Sequence, residues 1–108
     1  MIRLTVLYNL PAETDEEEFL RWRLSGHQQA NASINGVIRT DFARSVDAWP
    51  EGTDPMYRFM TTVDWPDWAS IREGFYAPQV QAALEEDAKM LRDPVFLVGE
   101  ILAGHQAD

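Results

Sequence analysis

The 108-residue sequence predicts an α+β domain in which a four-stranded antiparallel sheet carries two helices on one of its faces. Three observations predict it. Four short segments carry the apolar alternation or β-rich composition of strands, two longer segments carry helix start and stop signals, and the order along the chain is β-α-β-β-α-β. Each helical segment is long enough to cross over and return in the right-handed sense. Both helices then fall on the same face, which is a ferredoxin-like plan.

The elements follow in order. Residues 2–8 place Ile2, Leu4, Val6 and Tyr8 on one side, and Asn9-Leu10-Pro11 ends the strand. Thr14-Asp15-Glu16-Glu17 reads as a capping box, with Thr14 as the cap and Glu17 reaching back. A helix is expected from there to about Ser33, after which Asn35-Gly36 supplies a turn. Residues 36–46 and 56–65 read as the middle hairpin, joined by a loop carrying Pro50, Gly52 and Pro55. A second helical region opens at Pro66-Asp67, breaks near Gly74 and Pro78, and resumes over 79–91. Pro94 stops it, residues 95–103 form the last strand, and residues 104–108 are a tail beyond a domain of residues 1–103.

Composition narrows the chemistry. Eighteen acids against nine bases give a net charge of −9, and Lys89 is the lone lysine. Nucleic-acid binding requires clustered bases, so neither nucleic acid nor an acidic membrane surface is an expected partner. An uncharged or cationic small molecule, or a protein, is the more natural ligand. The absence of cysteine excludes disulfides, thiolate nucleophiles and cysteine–metal sites. No apolar run has the length of a membrane span and no signal-peptide pattern opens the chain, so a cytoplasmic location is expected. Neither a metal nor a cofactor is expected, since no phosphate loop, His-x-Glu pattern or Ser-His-Asp set is legible. The acids at 15–18 and 85–87 read as solvated helix faces.

Closing the hairpin around residues 46–55 puts Ile38, Thr40, Phe42, Tyr57, Phe59, Thr61 and Val63 on the helix-covered face. Val37, Arg39, Asp41, Ala43, Arg58, Met60 and Thr62 share the other. The last strand is apolar on both sides, with Val95, Leu97 and Ile101 opposite Phe96, Val98 and Leu102. Two helices cover one face only, so a partner is expected on the second, and a symmetric homodimer is the commonest solution. The alternative is a monomer whose open face is tolerably mixed. Asp41 is placed to pair with Arg39 or Arg58 there.

His27 is the leading candidate for chemistry. It falls on a helical stripe with Leu20, Arg23, Leu24 and Ile34, and imidazole exchanges protons near neutral pH. The competing reading is a buried histidine bonded to a strand carbonyl or a tyrosine. Gly26 beside it marks close packing, ligand space or a kink. Tyr8 and Tyr57 are candidate hydroxyls near His27. Trp22, Phe42, Phe59, Phe75 and Tyr76 are candidate walls of an aromatic pocket, with ordinary core packing as the alternative. Phe75-Tyr76-Ala77-Pro78 is a candidate pocket mouth, and His105 is a surface residue of the tail.

The opening strand Ile2-Arg3-Leu4-Thr5-Val6-Leu7-Tyr8, Phe19-Leu20-Arg21-Trp22 followed by His27, the Asn35-Gly36 turn and residues 83–87 carry a resemblance. Over residues 2–102 the chain resembles the EthD-like family of dimeric α+β barrels, departing from it where the family often has Pro-Gly in place of Asn35-Gly36. The resemblance implies a homodimer of facing sheets, a histidine at position 27, and a pocket in each subunit for a small hydrophobic molecule. The group is named for ether degradation, and its fold relatives include cofactor-free monooxygenases, polyketide cyclases and haem-binding proteins. What it implies here is cofactor-independent oxidation, cyclisation or degradation of an aromatic or ether-type metabolite, with His27 as proton shuttle. A non-catalytic carrier or sensor, or a haem protein with His27 as ligand, stands as the alternative.

Overall fold

The computed structural model describes residues 1–106; of the tail expected at 104–108, the last two positions lie outside the described residues. Four strands, β1 (Ile2–Asn9), β2 (Arg39–Arg44), β3 (Phe59–Trp65) and β4 (Arg92–Glu100), form one antiparallel sheet in the order β2-β3-β1-β4. Two helical layers connect them. The first is α1 (Glu16–Trp22), a π-turn (Arg23–His27) and α2 (Gln28–Ala32); the second is α3 (Trp68–Gly74) and α4 (Pro78–Ala88). The expected order and ferredoxin-like plan are both present.

The expected face assignment holds where the sheet is central. Ile2, Leu4, Val6 and Tyr8 of β1 and Phe59, Val63 and Trp65 of β3 are buried with Phe19, Ile71 and Phe75 in one core. Pairing of Phe42 with Thr61 and Thr40 with Val63 keeps those four on that same face. Two residues just before β2 depart from it: Ile38 is mostly exposed, and Val37, expected on the open face, packs against the core instead.

Strand bounds are shorter than the patterning suggested in the hairpin. The loop tightens at both ends, where the Ser45 amide donates to the Arg58 carbonyl and Asn9 holds the Met56 carbonyl and the Arg58 amide. At the loop tip Gly52 has a φ of +88°, and its amide donates to Asp47. In the other direction, β4 begins at Arg92 rather than after Pro94. An edge strand tolerates proline because its outward amide needs no partner. Asp93, with a φ of +52°, accommodates the register shift opposite Leu7 and Asn9.

The first cap also differs from expectation. Asp15, not Thr14, is the N-cap, and its carboxylate accepts from the amides of Glu17 and Glu18. Thr14 is spent in the preceding turn, its amide donating to the Pro11 carbonyl. Two cap-forming residues stand side by side, and the turn after Pro11 decides which one faces the helix. Asp67 caps α3 in the same manner, and Pro78 opens α4 at the position where its missing amide costs nothing.

One joint fastens the two helical layers to each other. The Trp65 indole donates to the Asn35 carbonyl at 3.1 Å, and Gly74 of α3 packs directly on that carbonyl. A Cβ at position 74 would meet the Asn35 oxygen inside van der Waals contact and the Trp65 Nε1 at 2.9 Å. Gly36, with a φ of +83°, makes the turn that brings Asn35 there.

On the open face of the sheet, Arg3 pairs with Asp64 at 2.8 Å and Arg39 with Asp41 at 2.8 Å. Arg58 does not join them. It reaches back to Glu16 at the start of α1, at 2.8 Å, because Asn9 fixes its backbone beside that helix end. From the cap geometry, Asp15→Ala should lower stability by about 0.5–2 kcal/mol in urea titration, with Thr14→Ala changing it by less than about 0.5 kcal/mol.

Candidate functional site

The helices stand away from the centre of the sheet and leave a half-open cavity of about 390 Å³ between them. Its floor comes from β1 and β3 through Leu4, Val6, Thr61 and Val63, and α4 contributes Val80, Ala83 and Leu84 to the opposite wall. Neither α2 nor α4 has a fully buried residue, because the side that faces inward borders this space. Its volume falls within the range of small-molecule pockets, and most of its wall is apolar.

The two basic groups on the cavity wall, Arg23 and His27, come from a single irregular turn, while Tyr8, Thr61 and Asp87 reach it from β1, β3 and α4. At Ser25 the backbone leaves helical geometry, with φ −88° and ψ −108°, and the Gln28 amide bonds to the Arg23 carbonyl, five residues back. Such π-turns are often found at functional sites. This one aligns side chains that an α-helix would separate. The Trp22 and His27 rings stack with centroids 4.4 Å apart, and the Arg23 guanidinium donates to the Gln28 side-chain oxygen. Both pairs are five residues apart. The same turn swings Leu24 outward, so it leaves the stripe on which regular periodicity placed it. Gly26 does not mark close packing, since a Cβ there would meet nothing within 4 Å; the departure from helical geometry lies at its neighbour Ser25.

His27 borders the cavity, with its side chain about one-fifth exposed. Its Nδ1 lies 3.8 Å from the Asp87 carboxylate of α4, which is too long for a hydrogen bond but close enough to act electrostatically. Burial pulls the imidazole below its ordinary value; Asp87 opposes this, and Arg23 adds to it. The neutral ring therefore predominates at pH 7.

Arg23 is the deepest base of the described residues, 2% exposed. Phe42 lies beneath its guanidinium, with the ring centroid at 4.2 Å, and the Thr61 hydroxyl is 3.5 Å away. Burial lowers its affinity for the proton, while the neighbouring Tyr8 phenol raises it. The guanidinium nonetheless stays charged at neutral pH. Tyr8 is itself held above its usual value by burial, which the Arg23 charge and bonding toward Thr61 and Arg23 partly offset.

Of the residues expected to form the site, His27, Tyr8, Trp22 and Phe75 line the cavity. Tyr57, Phe42, Phe59 and Tyr76 do not. Tyr57 precedes β3, in the hairpin loop. Phe42 and Phe59 stack on each other at the edge of the core, 5.6 Å apart, and Tyr76 is an exposed neighbour of Trp68. Two residues were given no functional role by sequence reasoning. Arg23 was visible on the His27 stripe, where an arginine on an otherwise apolar face was the available signal. Asp87 carried no signal beyond a helical acid run. His105 is exposed in the tail. Among the described residues no cluster of potential ligands is arranged for a metal ion.

No protein-family model and no curated protein matches the sequence. Solved structures do. An EthD family protein from Bacillus halodurans superposes with a TM-score of 0.76 over 94% of this chain and 99% of its own, at 18% identity. A dimeric ferredoxin-like protein of unknown function from Thermobifida fusca gives 0.69 over 93% and 90%, at 19% identity. SnoaB, a cofactor-independent oxygenase from Streptomyces nogalater, gives 0.68 over 95% and 94%, at 11% identity. The chain has a ferredoxin-like fold.

The His27 environment has a measurable signature. Its NMR titration midpoint should lie below about 6.5 and fall further in Asp87→Asn, which removes the group that favours the proton. Because the folded value is depressed, the unfolded chain protonates first as pH falls. The stability associated with neutral His27 is thus complete above its ordinary value and declines as pH drops through the folded one.

Proposed function

We propose that the chain is one subunit of a cytoplasmic homodimer that binds a small hydrophobic organic molecule in the cavity between sheet and helices. Neutral His27 then takes a proton from that molecule, and the chemistry is cofactor-independent oxidation, cyclisation or degradation of an aromatic or ether-type metabolite. The observation that carries this reading is the join of an apolar cavity of about 390 Å³ to an imidazole held in its proton-accepting form at its border. The resemblance in fold to an EthD family protein and to a cofactor-independent oxygenase supports the reaction class. No helix among the described residues is long and apolar enough to cross a membrane, which is compatible with the location.

The second reading is a carrier or sensor that uses the same cavity. It is favoured by the apolar character of most of the wall, which suffices for binding without any proton transfer. The two separate cleanly at His27. For an enzyme, His27→Ala should abolish oxidation of anthrone by dioxygen to anthraquinone and water, followed by absorbance, while binding of anthrone largely survives. Wild-type protein that binds anthrone without accelerating its oxidation would favour the carrier.

The dimer rests on the open face of the sheet. Leu7, Met60, Val95 and Leu97 are cross-strand neighbours there, and Leu97 is 57% exposed. An apolar strip of this kind, beside the Arg3–Asp64 and Arg39–Asp41 pairs, suits a second copy with the same alternation of apolar and charged groups. Sedimentation equilibrium at micromolar concentration should give a dimer. Leu97→Asp should shift it to monomer with the far-UV circular dichroism unchanged.

A further inference from the structure

We propose that the molecule accepted by the cavity carries a carboxylate, which docks against Arg23 and Tyr8 while its apolar body fills the remaining space. This deepens the reading of the cavity as a small-molecule site and rests on it. The chain has twice as many acids as bases, yet its buried base has no acid partner. No carboxylate of the described residues lies within 4 Å of the Arg23 guanidinium. Its partners are an amide oxygen of Gln28, the distant hydroxyl of Thr61, the face of Phe42 and the neighbouring Tyr8 phenol, none of them a counter-charge at neutral pH.

A guanidinium has five N–H donors in a planar fork, and those partners leave donors over. Burying a cation without a counter-charge is costly, and natural proteins seldom leave it so. The other described arginines that reach a carboxylate, such as Arg3, Arg39 and Arg58, do so at the surface or the sheet face. Arg23 instead lines the cavity, as do its neighbours Tyr8 and Thr61. The raised Tyr8 phenol keeps its proton and can donate it in a hydrogen bond to an anion. The planar fork with a hydroxyl beside it matches two carboxylate oxygens better than it matches a carbonyl or an ether. Asp87 lies by His27, so a bound anion is drawn toward the Arg23 end and its apolar body is left against Val6, Val63 and Leu84.

The test uses two probes of one shape, 2-naphthoate and 2-naphthamide, with calorimetry on the intact protein. Wild type should bind the carboxylate about tenfold or more tightly than the amide, in keeping with a charge-assisted hydrogen-bonded pair. In Arg23→Gln the preference should vanish while the amide binds as before. Spectra selective for the arginine Nε–H should shift one buried resonance on addition of naphthoate to wild type, a readout that survives if the variant fails to fold. Equal affinity of wild type for the two probes would overturn the proposal and leave the cavity reading standing. Binding of neither would overturn both.

Discussion

The spacing of large and small side chains along β3 governs the rest of the molecule. Phe59 and Trp65, fully buried, stand at its two ends on the face beneath the helices, about 20 Å apart by strand rise. Thr61 and Val63, both short, lie between them on the same face. Phe19 of α1 rests on Phe59 at 5.3 Å between centroids, and Phe75, next to α3, rests on Trp65 at 5.9 Å. The helical layers are therefore propped at the ends and unsupported in the middle. A well-packed core would close such a gap, since interiors ordinarily pack as densely as organic crystals. Here the Trp65–Asn35–Gly74 joint holds it open by fixing where the two layers meet.

Much of this was legible from the sequence. Alternation at Ile2, Leu4, Val6 and Tyr8 and again at Phe59, Thr61 and Val63 gives the sheet and its covered face, because a half-covered strand leaves a period of two. Asn35-Gly36 gives the turn, because a positive φ favours such residues. The site was less legible. Phe42 and Phe59 share the correct face but lie beyond the end of the cavity, and periodicity reports a face without reporting a position along it. Arg23 and His27 were placed on one stripe by regular helical spacing, yet the contacts that define them, to Gln28 and Trp22, are five residues apart. A reading based on 3.6 residues per turn excludes those pairs. The opposition of Asp87 to His27 is tertiary and leaves no local pattern.

Net charge and local field point in opposite directions here. A surface dominated by carboxylates disfavours anionic partners at long range, and salt screens that effect within about 10 Å. The cavity is a different medium. It is apolar, it holds Arg23 at its wall, and the interaction of a charge with a nearby guanidinium is much stronger there than in water. Composition thus describes the approach to the molecule, and the buried side chains describe its reception.

The π-turn ties the site to the number of residues between Arg23 and Gln28. In a regular helix, residues five apart lie about 140° from each other around the axis. Trp22 could not then lie over His27, nor Arg23 reach Gln28. The Arg23 and His27 side of the cavity hangs on a single extra residue in one loop of backbone, whereas Phe19, Phe59 and Trp65, which prop the fold, lie outside it. Insertion or loss of one residue between Arg23 and His27 would accordingly rearrange this side of the cavity while leaving the core residues in place.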